Sequence, residues 1–151
     1  MLIREMTRQA CLDMLAHAHL CRLACAQSGQ PYVVPSYFAY HNTFLYGFAT
    51  VGQKIEWMRA DPRVCVEADE IVNQENWSTV IVFGQYEELP VVPEYEAERA
   101  VARRVLQEKA MWWEPGYVKT ILHGVERPLV PVFFRIRIGQ ITGHRATPSG
   151  A

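Results

Sequence analysis

From Leu20 onward the apolar residues recur with a period of two, in short runs broken by turn residues, and that alternation calls for an antiparallel β architecture. Leu20 to Ala26, Pro31 to Tyr40 and Phe44 to Ala49 read as three strands of a meander, joined by Gln27-Ser28-Gly29-Gln30 and His41-Asn42-Thr43. Arg63 to Val72 follows, with Val64, Val66 and Ala68 on one face and Arg63, Cys65, Glu67 and Asp69 on the other. Trp77 to Leu89 contains the unbroken apolar run Val80-Ile81-Val82-Phe83, the pattern of a strand covered on both faces. Leu129 to Thr142 alternates again, Val132, Phe134, Ile136 and Ile138 against Phe133, Arg135, Arg137 and Gly139. Six strands with few helices predict a closed or nearly closed antiparallel barrel, which removes exposed edges.

The helical segments are short. Thr7 is placed to cap a helix running to about His17, so residues 1–19 read as an N-terminal helical segment. Gly52 to Ala60 reads as a second helix, stopped by Asp61-Pro62. A third runs from after Pro93 to about Ala110, with Glu94, Glu96 and Glu98 early, Arg103, Arg104 and Lys109 late, and Ala97, Val101 and Val105 as its stripe. Residues 111–128 show no regular pattern, and 146–151 read as a flexible tail.

At 151 residues the chain fits one domain, residues 1–151, able to bury about two thirds of its unfolded surface. The net charge of −1 argues against a partner bound through many phosphates, so no nucleic acid is expected. No segment reaches the roughly 20 apolar residues of a membrane span, and the N-terminus lacks a signal-peptide core, so a cytoplasmic location is expected. Cys11, Cys21, Cys25 and Cys65 lack the paired spacing of a zinc site and read as reduced thiols, Cys21 and Cys25 on one strand face. His17, His19, His41, His123 and His144 are scattered, and no metal is expected.

The chemistry concentrates at Tyr46-Gly-Phe-Ala-Thr-Val-Gly-Gln-Lys54, where a strand turns through small residues into a helix. Thr50 offers a hydroxyl, the amides near Gly52 and Gln53 lack intrahelical partners, and Lys54 adds a positive charge in the first turn: a cradle for a phosphate. Such a junction also arises where a strand merely turns into a helix, with Lys54 as a solvated charge.

Taken in order, Cys21-Arg-Leu-Ala24, Pro31-Tyr-Val-Val-Pro-Ser-Tyr37, Leu45 to Lys54, Asp61-Pro-Arg-Val-Cys-Val-Glu67, Trp77 to Gly84, and Phe134-Arg-Ile-Arg-Ile138 with Thr142-Gly143 resemble the FMN-binding split-barrel superfamily of pyridoxamine 5'-phosphate oxidase-like proteins. Within it, the likeness is to the small branch of nitroimidazole-resistance-type flavoproteins. The resemblance implies a mainly β, six-stranded split barrel with flanking helices. It also implies a homodimer with FMN at two sites along the subunit interface, exchanging electrons with a small-molecule donor such as NAD(P)H and a small organic acceptor. By motif position it implies cofactor contacts from Pro35, Ser36 and Tyr37, from Ala49, Thr50, Gly52, Gln53 and Lys54, and from Trp77 and Ser78. It names no catalytic acid or base. A flavin carrier or sensor without turnover, and a split barrel using haem or a deazaflavin, are the alternatives. Two departures stand out: Tyr46 is followed by Gly47-Phe48 where that branch has Phe-His, and Gln53 stands where an arginine is frequent. Oxidation of vitamin B6 itself is not expected, since the basic clusters of such a substrate site are not evident.

Overall fold

In the computed structural model, which describes residues 1–150, one long strand organises the rest. The elements are β1 (Leu2–Glu5), α1 (Arg8–His17), β2 (Leu20–Gln27), β3 (Gln30–Tyr37), β4 (Ala39–His41), β5 (Phe44–Thr50), α2 (Gln53–Ala60), β6 (Arg63–Asn73) and β7 (Asn76–Leu89). After a single 3-10 turn at Pro93–Tyr95 come α3 (Glu96–Leu106), α4 (Glu114–Tyr117), the small hairpin β8 (Ile121–Leu122) and β9 (Val125–Glu126), and β10 (Pro131–Thr147). The main sheet has eight strands in the order β3-β2-β6-β7-β10-β5-β4, with β1 added on β10. All its pairings are antiparallel.

The expected barrel is present, with corrections at its seams. Residues 1–19 are not helical throughout: Leu2–Glu5 pairs with Glu5 opposite His144 and Leu2 opposite Thr147. That pairing also corrects the expected tail, because β10 extends to Thr147 and Ala146 is fully buried. The run from Pro31 to Tyr40 is two strands, not one. It breaks at Phe38, so that β3 pairs with β2 while β4 pairs with β5 at the opposite end of the sheet. These two changes make eight strands of the six expected, and they replace the meander by a chain crossing from one sheet edge to the other. Phe38, 2% exposed, turns its ring into the barrel against Phe134, and its N–H donates to the His19 carbonyl at 3.4 Å. Proline at 31 and 35 is tolerated because β3 is an edge strand.

Two cores flank β5. Leu45 and Ala49 face the barrel interior, with Leu23, Val66, Val80, Val82, Phe134 and Ile136. Tyr46 and Phe48 face outward into a second core closed by Ala102, Val105 and Leu106 of α3 and by Phe133. The stripe of α3 is therefore set one turn later than the sequence suggests. Ala97 is exposed, and the apolar contacts of the helix with the second core run from Val101 onward. The helix also stops at Leu106, short of the expected Ala110. Thr7 caps α1 as expected, its hydroxyl accepting the Ala10 N–H at 3.2 Å, and Cys11, Met14 and Leu15 seal one end of the barrel. The two-sided cover expected for β7 is half met: Val80 and Val82 are buried, whereas Phe83 is 50% exposed.

Gly84 lies where β7 meets the bulge between Ile138 and Gln140 of β10. A methyl group there would collide with the Arg137 carbonyl oxygen, and backbone cannot step aside as a side chain can. Gly84→Ala should therefore lower stability by about 1–3 kcal/mol in a urea titration. Gly52→Ala, whose added carbon meets nothing within 4 Å, should stay within about 0.5 kcal/mol of the parent.

Candidate functional site

Where β5 runs into α2, the chain leaves the sheet with its polar groups unspent. Gly52 is the N-cap of α2 in an extended conformation and supplies no capping side chain. The Gln53 and Lys54 amides find no acceptor among the described residues, the first intrahelical bond being from the Glu56 N–H to the Gly52 carbonyl at 3.0 Å. Lys54 adds a partly buried ammonium that makes no salt bridge among the described residues. Burial pushes its pKa down, partly offset by the neighbouring Cys25. An uncompensated, partly desolvated cation beside free amides is an arrangement that an anion completes.

These groups line a cavity of about 460 Å³. Tyr32 and Val34 of β3 and Trp57 of α2 form one side, and Thr50 to Lys54 form one end. The far wall is the β8–β9 hairpin with its flanks, which contributes Thr120, Leu122 and Arg127. The second half of the region that shows no pattern in the sequence, residues 118–128, is thus the lid of the site. Its anchoring is specific. The Val130 N–H donates to Thr50 Oγ at 2.8 Å, the Val51 N–H to the Val130 carbonyl at 2.9 Å, and the Arg127 N–H to the Thr120 carbonyl at 2.9 Å. Thr50 Oγ accepts from Val130, which leaves its own proton free to donate to an anion.

Of the residues expected at a cofactor site, Thr50, Gly52, Gln53 and Lys54 meet in this cavity. Ala49 does not: its side chain is 2% exposed and packs in the barrel core. Pro35 and Tyr37 lie further along β3 on its outer face, with Ser36 buried between them. Trp77 and Ser78 are remote. Thr50 is paired with Pro131 at the start of β10, whereas Trp77 is paired with Ala146 near its end, tens of ångströms away along the strand. Ser78 is buried and accepts from Arg145 Nε at 3.0 Å. Tyr32, Trp57 and Arg127 are not among the residues expected to hold the cofactor. Tyr32 could have been found from its place on the inward face of β3, whereas Arg127 carries no sequence signal because its hairpin has no periodicity.

Phe48 is core packing: Phe133 lies 4.6 Å away and Trp112 5.4 Å away between ring centroids, and Gly116 sits against its ring. Trp112 stacks on Phe133 at 6.0 Å, and Trp113 is half exposed. The four cysteines are free thiols, and burial raises the pKa of each, that of Cys21 to about 11, so none is poised as a nucleophile at neutral pH. No cluster of metal-ligating side chains occurs among the described residues.

An eight-stranded antiparallel sheet in this open order, with the strand-to-helix junction at Thr50 to Lys54, is a split barrel. The chain belongs to the family described as pyridoxamine 5'-phosphate oxidase, whose model matches residues 7–145. It is 37% identical over 146 residues to an uncharacterized protein of Rhizobium meliloti (strain 1021), covering 97% of each chain. Among solved structures it is similar to a FAD-binding protein of Mesorhizobium loti, with 44% identity, a TM-score of 0.79, and coverage of 97% of this chain and 100% of that one. A candidate 5-nitroimidazole antibiotic resistance protein of Bacteroides thetaiotaomicron shares the fold, at 19% identity and a TM-score of 0.65 over 96% of this chain and 89% of that one.

Because Thr50 both ties down the lid and faces the cavity, Thr50→Val should cost about 1–2 kcal/mol by leaving the Val130 amide without its acceptor. Thr50→Ser keeps the hydroxyl and should lose much less. Urea midpoints of the two variants check this.

Proposed function

We propose that the protein binds a phosphate-bearing flavin, with FMN the smallest form that meets the cradle, and that it works as an oxidoreductase. The observation that carries this reading is the combination of Lys54, uncompensated and partly buried, with the free Gln53 and Lys54 amides in one cavity. The 44% identical relative being a FAD-binding protein supports a flavin rather than haem. The bound flavin would supply two-electron chemistry, taking electrons from a donor such as NAD(P)H and passing them to a small organic acceptor. The chain's own part is binding and orientation: Lys54 and Thr50 hold the phosphate, and the outer edge of β3 at Pro35 to Tyr37 borders the ring.

The same reading has a second chain complete the site. Trp77 and Ser78, expected to border the same ring, sit at the opposite end of β10, an arrangement suited to a site that a second copy completes. Val33, Tyr37 and Phe83 expose 62%, 60% and 50% of their surface on the outer face of the sheet, an apolar area suited to that partner. A homodimer with flavins at the interface fits both observations. No helix is long and apolar enough to cross a membrane, and four free thiols suit the cytoplasm.

Four measurements test this. Reconstitution with FMN should give about one flavin per chain, bleachable by NADH or NADPH and reoxidised by a quinone. A protein that takes up no flavin contradicts the reading, and one that binds flavin but never bleaches is a carrier. Lys54→Ala should weaken FMN binding by about 1.5–3 kcal/mol, ten- to a hundredfold in Kd, without unfolding the domain. The protonated lysine is the binding form and its pKa is lowered. Affinity should therefore hold above the phosphate's second pKa of about 6 and fall as the pH rises toward the lowered lysine value. Lys54→Arg should flatten that alkaline limb. Dilution below the dimer dissociation constant should release flavin, and a monomer that retains it would contradict the shared site.

A further inference from the structure

A second cavity, of about 320 Å³, shares no lining residue with the one beside Lys54. It lies where the end of β3 meets β5, the last turn of α3 and the start of α4, and its walls are aromatic: Tyr37, Phe38, Phe48 and Trp112, with Leu106 beside them. These walls are tightly built. The Phe48 and Trp112 ring centroids are 5.4 Å apart, and Gly116 of α4 sits so close to the Phe48 ring that an added methyl would collide with it. Apolar walls around a space of this size, with a few polar groups converging on it, are what a small organic ligand requires. Apart from the Tyr37 hydroxyl, the polar side chains here are His19, Lys109 and Glu114. Lys109 is half-buried and makes no salt bridge among the described residues, and its N–H is tied to the Leu106 carbonyl at 2.9 Å. Glu114 also makes no salt bridge among the described residues, so its carboxylate offsets the Lys109 charge across the lining. The cavity therefore offers a hydrogen-bond donor on an apolar wall without an excess of positive charge.

From this we infer, resting on the flavin reading above, that the second cavity seats the electron acceptor, and that the acceptor is a neutral planar ring carrying carbonyl oxygens, of the quinone class. Tyr37 makes the connection. It ends the β3 edge along which the flavin ring is proposed to lie, and it lines the cavity, so a molecule held against it adjoins that edge. The aromatic walls take the ring in offset or edge-to-face contact. Lys109 donates to a carbonyl oxygen, the atom on which negative charge gathers during reduction, and a charge-assisted hydrogen bond strengthens as that charge grows. Quinone and two-electron-reduced flavin give quinol and oxidised flavin, so the two electrons and two protons gained on one side balance those lost on the other. A ring bearing a carboxylate suits the cavity less well, because the Glu114 carboxylate lines the same space.

The test titrates the flavin-free protein with tetramethyl-1,4-benzoquinone, whose ring carbons are all substituted against thiol addition, and reads the quenching of tryptophan fluorescence. The parent should show saturable quenching, most of which Trp112→Phe should remove. Lys109→Met, which keeps the bulk of the stem, should weaken the quinone about tenfold, the worth of one charge-assisted hydrogen bond. It should move the FMN constant by less than about twofold, because no flavin contact is assigned to it. Ala110→Phe, at an exposed position of the wall, should block the quinone by filling the space, and it tests the cavity even where Lys109→Met fails to fold. On FMN-loaded protein, Lys109→Met should raise the KM for the quinone by a similar factor and leave the rate of bleaching by NADH unchanged. The absence of saturable quenching in the parent overturns the inference, as does quenching that survives both Trp112→Phe and Ala110→Phe, or tighter binding of benzoate than of the quinone. Normal FMN uptake in the same preparation then leaves the flavin reading standing. A protein that takes up no flavin removes that reading and the acceptor role together, whatever the quenching shows.

Discussion

The pairing of β10 along its whole length is the constraint on which this molecule depends. Its seventeen residues are shared among β5, β7 and β1, so one strand sets the registers of three others. Pro131 opposite Thr50 fixes where β5 ends, and hence where α2 begins with its free amides. Ala146 opposite Trp77 fixes the other end. Arg135 and Arg137, both bonded to Glu87 at 2.7 Å, lock the middle of the strand to β7. Burial raises the pKa of Glu87, but the two arginine hydrogen bonds outweigh it and hold the carboxyl below its ordinary value. That pairing is present at neutral pH and is lost in acid as the pH falls through the lowered value.

The cradle follows from the same constraint. A strand that must end at Thr50 hands its chain to a helix whose N-cap is glycine, and the helix cannot satisfy its own first amides. The lysine one residue into that helix is drawn against the barrel near Cys25, where burial works against its charge. An anion bound beside Lys54 would offset that cost of burial.

Much of this was legible in the residues. Alternation at Val64, Val66 and Ala68 and at Phe134, Ile136 and Ile138 marked the inner faces correctly, because burial on one side of a pleated strand enforces a period of two. Thr50 to Lys54 stood out because small residues, a hydroxyl and a lysine at a strand-to-helix junction have a direct physical meaning. What could not be read was long-range. Phe38 gives no local sign that the chain crosses between sheet edges there, and Leu2 to Glu5 is too short to reveal a partner 140 residues away. The hairpin carrying Arg127 is exposed on most sides, so no burial pattern marks it. Ala49 was grouped with the cradle by motif position, although strand alternation turns its side chain inward.

The central claim is that Lys54 and the first amides of α2 hold the phosphate of a flavin. A crystal structure of the flavin-loaded protein tests it most directly. The account predicts a phosphate within hydrogen-bond distance of Lys54 Nζ and of the Gln53 and Lys54 amides, with the ring along the outer edge of β3. A flavin bound with its phosphate elsewhere, and Lys54 turned to solvent, would contradict it.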